Sequence, residues 1–162
     1  KEIYEDFKDW NFKIIGSPKL GINKLDDFSI KIKKDFESLG ERAKMIGFVN
    51  SKTLNKIMSD TSVIVIPSVW NEPFGLVAAE AMSNGIAMIS SNSGGLPEII
   101  RNNGILINNI NSKKIAGQLK KIISNTSLLK ELQKKSWKNF SFDSKTISSK
   151  LDNHRQELFL KN

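Results

Sequence analysis

Apolar residues follow two different periods along this chain, and the two take turns. Short, nearly continuous apolar runs at 12–15 (FKII), 43–49 (AKMIGFV), 62–67 (SVIVIP), 87–91 (AMISS) and 105–107 (ILI) have the length and β-branched content of strands. Between them the spacing widens to the helical period. Residues 1–10 carry Ile3, Phe7 and Trp10, and 26–40 place Phe28, Ile32, Phe36 and Leu39 on one buried face. Ser51 caps a short helix through Ser59, residues 76–82 form a helix stopped by Asn84-Gly85, and a further short helix starts near Leu96. Three helices follow at 112–125, 127–139 and 143–160, each opening on a capping residue. Trp137, Phe140 and Phe142 are expected to be packing residues, and the single histidine, His154, to be exposed. Strands alternating with helices at these intervals predict an α/β, Rossmann-like domain. Its doubly wound, mostly parallel sheet has helices on both faces and loops gathered at the strands' carboxyl edge.

The most informative stretch is 68–100, SVWNEPFGLVAAEAMSNGIAMISSNSGGLPEII. It starts where the third apolar run ends and holds Glu72 and Glu80 with seven residues between them. Pro73 fixes its own φ and lacks a backbone donor, while Gly75 allows close approach to the backbone. Glu72-Pro73-Phe74-Gly75 therefore reads as a tight strand-to-helix turn. A helix opening at the carboxyl end of a buried strand directs unpaired N–H groups and a partial positive charge into the crevice above the sheet, which suits phosphate. A carboxylate accepts hydrogen bonds on two oxygens and so suits the paired hydroxyls of a sugar. Glu80, one turn after Leu76 on the same helix face, is placed to reach a ribose, and Glu72 to reach what lies beyond the phosphate. The glycines of Ser93-Gly94-Gly95 allow that loop to border the same site. Solvated glutamates around an ordinary helix start are the plainer alternative.

The residues Glu72-Pro73-Phe74-Gly75-Leu76-Val77 with Glu80-Ala81-Met82, followed by Gly94-Gly95 and Pro97-Glu98, resemble the donor-binding signature of retaining glycosyltransferases of the GT-B fold, family 4. The resemblance implies that Glu72 touches the transferred sugar and is the catalytic residue. It also implies that backbone groups of Phe74, Gly75 and Leu76 hold a diphosphate and that Glu80 binds ribose. Pro73 and Val77 belong to the same donor-binding segment. The 43–49 run is similar to the family's F-L-G-x-V segment, which makes Met45, Ile46 and Gly47 candidates for the base pocket; on the residues alone they are equally plain core. Gly16-Ser17-Pro18-Lys19 resembles the G-x-G-P turn of the same domain but departs from it at Ser17-Pro18, so Gly16, Ser17 and Lys19 are weaker candidates for a phosphate loop.

By the same resemblance, residues 1–162 form the donor domain of a larger enzyme. They lack an earlier strand, whose loop carries a diphosphate-binding arginine and lysine, and an N-terminal acceptor domain to which the 143–160 helix crosses. The expected reaction moves a hexose from a nucleotide-diphosphate sugar to a surface glycan or lipid-linked saccharide, with retention and without a metal or cofactor. A chain of this extent is expected to bind donor yet transfer nothing. A non-catalytic nucleotide- or glycan-binding module on the same fold is the alternative.

Composition narrows the field further. At 162 residues, 39% hydrophobic and 26% charged, the chain suits one polar globular domain, with no apolar run approaching the roughly eighteen residues of a membrane span. Cysteine is absent and there is one histidine, so thiolate chemistry and the usual zinc ligand sets have no residues to draw on. The net charge of +8 rests on 25 basic residues, of which only Arg42, Arg101 and Arg155 are arginine. Nucleic-acid partners lean on arginine and stacking aromatics, so they are not expected. Lysine pairs such as Lys33-Lys34, Lys120-Lys121 and Lys134-Lys135 suit solvated helix faces first and weak attraction to anionic lipid second, giving a cytoplasmic protein with peripheral contact at the inner membrane face. The Gly16 to Gly21 spacing imitates a Walker A loop, but Ile22-Asn23 stands where Lys-Ser/Thr is needed. No nucleophile elbow and no strand-linked G-x-G-x-x-G are present. An Asn-, Lys- and Ile-rich composition suggests a bacterial source and lipopolysaccharide or polysaccharide assembly.

Overall fold

The computed structural model describes residues 1–17 and 25–159. Within them the elements run α1 (Glu2–Asp6), β1 (Phe12–Ile15), α2 (Asp27–Glu37), β2 (Ala43–Gly47), α3 (Ser51–Ser59), β3 (Val63–Ile66) and α4 (Leu76–Ser83). They continue with β4 (Ala87–Ser91), α5 (Leu96–Ile100), β5 (Gly104–Ile107), α6 (Ser112–Ile123), α7 (Thr126–Lys138) and α8 (Ser144–Phe159). All strand pairs are parallel, as βαβ connections require.

The core is organised on β4. It lies between β3 and β5, with Val63 opposite Ala87 and Met88 opposite Gly104, and all five of its residues are buried. Side chains alternate across a strand, so its two faces feed two clusters. Met88 joins Met58, Ile66, Ala78, Ala81, Met82, Leu96, Ile99 and Ile100 under α4 and α5. Ala87 and Ile89 join Ile107, Ile122 and Leu132 under α6 and α7. Gly104 is small because β4 leaves no room: a Cβ there would lie 2.9 Å from the Met88 carbonyl oxygen. Helices cover both faces of a parallel sheet, as the alternation of periods predicts.

The sheet itself is divided. β1 pairs with β2 in one ladder and β3-β4-β5 form another, so β1 and β3 each keep one edge with no strand partner among the described residues. The smaller ladder is tied to α1 through Arg42. Its guanidinium donates to the carbonyls of Tyr4 (2.8 Å), Phe7 (3.0 Å) and Trp10 (2.7 Å) and stacks on the Tyr4 ring at 3.9 Å. Lys120 on α6 and Asp6 on α1, at 2.8 Å, link the two halves.

Several expectations need correction. The helical spacing over 1–10 yields a helix only at 2–6, because the Arg42 clamp takes the carbonyls of Phe7 and Trp10. The 26–40 helix ends at Glu37 and buries no residue, with Phe28 at 73% exposure, since the two-stranded β1–β2 ladder is too narrow to cover its apolar face. The third helix is capped by Asn50, not Ser51. α6 and α7 are likewise capped by Asn111 and Asn125, the residues before or near the expected starts. In each, the asparagine side-chain oxygen accepts the amide three residues on, at 2.9 Å. Trp137 is 65% exposed and is not a core residue, whereas Phe140 and Phe142 do pack on the core under α4. His154 is exposed, as expected.

Candidate functional site

β3, β4 and β5 run in the same direction, so their carboxyl ends share one edge, and the loops 67–75 and 92–95 leave the sheet there side by side. The connection from β3 to α4 runs over residues 67–75, with Glu72 to Gly75 directly before the helix. Its last residue, Gly75, takes φ +92 and serves as the left-handed residue that starts α4. A Cβ on Gly75 would lie 2.7 Å from the end of the Leu96 side chain, which would have to shift, and the positive φ strains any other residue there.

The start of α4 exposes backbone donors. Ala78 and Ala79 donate to the Gly75 carbonyl, while the N–H groups of Phe74, Gly75, Leu76 and Val77 meet no backbone acceptor among the described residues. No acidic side chain lies in the first turn, and the cap supplies no side-chain hydrogen bond. Four donors and the helix dipole are thus left for an anion. The Phe74 ring meets Phe142 edge-on at 5.5 Å. Leu76 and Val77 are exposed.

Glu72 is half-buried and held on three sides. Its N–H donates to the Trp70 carbonyl (3.0 Å), its carbonyl accepts from the Gly95 N–H (2.7 Å), and its Oε1 accepts from the Ser68 hydroxyl (2.9 Å). Ser93 Oγ joins the same loops by donating toward the Trp70 carbonyl (3.0 Å) or Asn71 Oδ1 (3.3 Å). Gly94 and Gly95 are glycines for lack of space: a Cβ on Gly95 would lie 2.7 Å from the Pro73 carbonyl oxygen, and one on Gly94 would collide with the Glu72 main chain. Glu80 is exposed, eight residues on, and its backbone carbonyl rather than its carboxylate takes the bonds from Ser83 and Asn84.

The structure therefore brings together Glu72, Pro73, Phe74, Gly75, Gly94 and Gly95, with Leu76, Val77 and Glu80 on the adjoining helix. The other candidates lie on the smaller ladder. Gly16 donates to the Gly47 carbonyl at 2.9 Å, both at positive φ where β1 and β2 end, and Met45 is half-buried while Ile46 is 37% exposed. Ser17 closes the described part of that loop, and Lys19 lies outside the described residues. Among the described residues no group of three His, Cys, Asp or Glu side chains gathers as a metal site, and no helix is long and apolar enough to cross a membrane. Sequence reasoning missed Ser68 and Ser93. A hydroxyl one position past the strand's terminal proline, and another beside a glycine pair, were the available signals.

A parallel sheet covered on both faces is Rossmann-like, and its match among solved structures is with glycosyltransferases of the GT-B fold. Anabaena Alr3699/HepE, solved in complex with UDP, superposes with a TM-score of 0.75 at 23% identity, over 91% of this chain and 41% of that one. The C-terminal domain of a glycosyl transferase group 1 family protein (LpcC) from Francisella tularensis superposes with a TM-score of 0.68 at 26% identity, over 85% of this chain and 71% of that one. Residues 1–139 match glycosyl transferases group 1, and the chain belongs to that family. It is 32% identical to spore coat protein SA of Bacillus subtilis over 82% of its own length and 36% of that protein's. Over 90 residues, 53% of this chain and 23% of the relative, it is 46% identical to the uncharacterized glycosyltransferase MJ1607 of Methanocaldococcus jannaschii. The chain thus spans 36% of the first of these two relatives and 23% of the second.

Proposed function

We propose that this chain is the donor-binding domain of a retaining, family 4-like glycosyltransferase, and that its site holds a nucleotide-diphosphate sugar. The observation that carries the reading is the start of α4, where four unmet N–H groups stand between Glu72 and Glu80. The diphosphate binds these donors, Glu80 takes ribose hydroxyls, Glu72 takes hydroxyls of the sugar, and the Met45 to Gly47 segment borders the base. In transfer, the bond from the anomeric carbon to the diphosphate oxygen breaks and its electron pair leaves with the diphosphate. Donors fixed in advance at the helix start favour that growing negative charge. As the resemblance implies, no metal or resident cofactor is required, and the acceptor, a saccharide or lipid-linked glycan, is presented by another part of a longer protein.

Lysine-rich helices fit contact with an anionic membrane surface at the cytoplasmic face, where such acceptors would be met. The test is a thermal-shift panel of UDP, GDP, ADP and their common sugar conjugates on the wild-type chain and on Glu80→Ala. Ligand at ten times its dissociation constant stabilises by ~1.4 kcal/mol, roughly 3 to 6 °C at this size. A shift with one nucleotide that is lost in Glu80→Ala supports the reading; no shift with any nucleotide at millimolar concentration overturns it.

A further inference from the structure

The hydrogen bond from Ser68 to Glu72 spans four residues of a loop that is not helical, and both partners are half-buried. It is not needed to hold the main chain of Glu72, which already bonds to Trp70 and Gly95 on its two sides. What the Ser68 hydroxyl fixes is the carboxylate alone. No lysine, arginine or histidine forms an ion pair with Glu72 among the described residues, so the Ser68 hydroxyl is its side-chain partner there. A neutral hydroxyl on Oε1 sets the rotation of the carboxylate plane and leaves Oε2 open to accept from a ligand.

We propose that Ser68 is a positioning residue for the sugar half of the donor: it orients Glu72 toward the sugar hydroxyls and takes no part in holding the nucleotide. This rests on the donor-site reading above. It follows that loss of the Ser68 hydroxyl affects only the increment in affinity that the sugar adds to its nucleotide. A role in loop stability alone would lower affinity for nucleotide and nucleotide sugar alike, since the loop leads into the helix start that binds the diphosphate.

The experiment is calorimetric titration of matched pairs, UDP with UDP-glucose, GDP with GDP-mannose and ADP with ADP-glucose, into the wild-type chain, Ser68→Ala, Ser68→Thr and Glu72→Gln. For the pair that binds, Ser68→Ala is expected to weaken the nucleotide sugar about tenfold, the scale of one charge-assisted hydrogen bond, while the nucleotide alone changes less than twofold. Ser68→Thr, which keeps the hydroxyl, restores the difference. Adding Ser68→Ala to Glu72→Gln costs less than it does in the wild type, because the oriented carboxylate is already gone. Equal losses for nucleotide and nucleotide sugar, or no loss for either, overturn the proposal. A wild-type chain that holds nucleotide and nucleotide sugar equally well also overturns it while leaving the nucleotide site standing. Absence of binding by every nucleotide removes the donor reading itself.

Discussion

Gly94 lies against the main chain of Glu72 so closely that a methyl group on it would overlap both the amide nitrogen and the carbonyl oxygen of that residue. The glycine loop after β4 is thus the mould in which the β3–α4 loop is cast, and the bond from the Gly95 N–H to the Glu72 carbonyl closes it. Gly94 also sits at φ +56, where a side chain is strained even in open space. Gly94→Ala is expected to cost at least about 2 kcal/mol, roughly 4 to 8 °C in melting temperature, and to abolish the affinity increment from the sugar. Differential scanning calorimetry and the same titrations check it; an unchanged melting point would mean the two loops are not interlocked.

The two glutamates are expected to separate by function. Glu80→Ala weakens the nucleotide and its sugar conjugate together, by about tenfold or more for lost charge-assisted bonds. Glu72→Gln leaves the nucleotide alone nearly unaffected and, in a longer active enzyme, lowers kcat more than it changes nucleotide affinity. Kinetics and nucleotide titrations giving the reverse pattern would exchange the two assignments.

Arg42 is the residue on which the N-terminal segment depends, since its guanidinium holds three carbonyls and one ring. A lysine has neither the planar fork nor the stacking face needed to replace it. Arg42→Lys is expected to destabilise by about 1 to 3 kcal/mol, because three part-buried carbonyls lose their guanidinium donor. Hydrogen exchange should accelerate first at Tyr4 to Trp10 and in β1, with the β3-β4-β5 ladder protected. Uniform acceleration would show that the two ladders unfold together.

Asp143 caps α8 by accepting from the Thr146 N–H (3.0 Å) and hydroxyl (2.6 Å). These bonds, the side-chain one first, hold its carboxyl below the ordinary aspartate range. The folded pKa is lowered, so the cap's contribution is complete above the unfolded aspartate value and is lost as pH falls through the lowered one. The Thr146 amide is expected to lose exchange protection over that acidic window in the wild type. In Asp143→Ala the protection is low at every pH. A pH-independent Thr146 amide in the wild type would contradict the cap.

The alternation of short apolar runs with helical spacing determined the parallel α/β class, and each of the five strands lies within a residue or two of where that spacing predicts it. Local chemistry likewise prepared the start of α4: Pro73 fixes its own φ, and Gly75 is free to take the positive φ that the turn requires. Other features depend on partners distant in the chain. Asn50, Asn111 and Asn125 compete locally with neighbouring serines and threonines for the same caps, so one-residue differences in helix starts are settled only by the final geometry. Exposure of Phe28 and Trp137 follows from the width and placement of the surface each helix meets, which spacing along one helix does not encode.

The division into two ladders, the Arg42 clamp and the fit of Gly94 against Glu72 join residues twenty or more positions apart. The Glu72 residue type alone proclaims a charged acceptor. Its fixed orientation, set by Ser68 and by the loop after a neighbouring strand, exists only once β3 and β4 lie side by side, because parallel pairing is what brings their carboxyl ends to one edge.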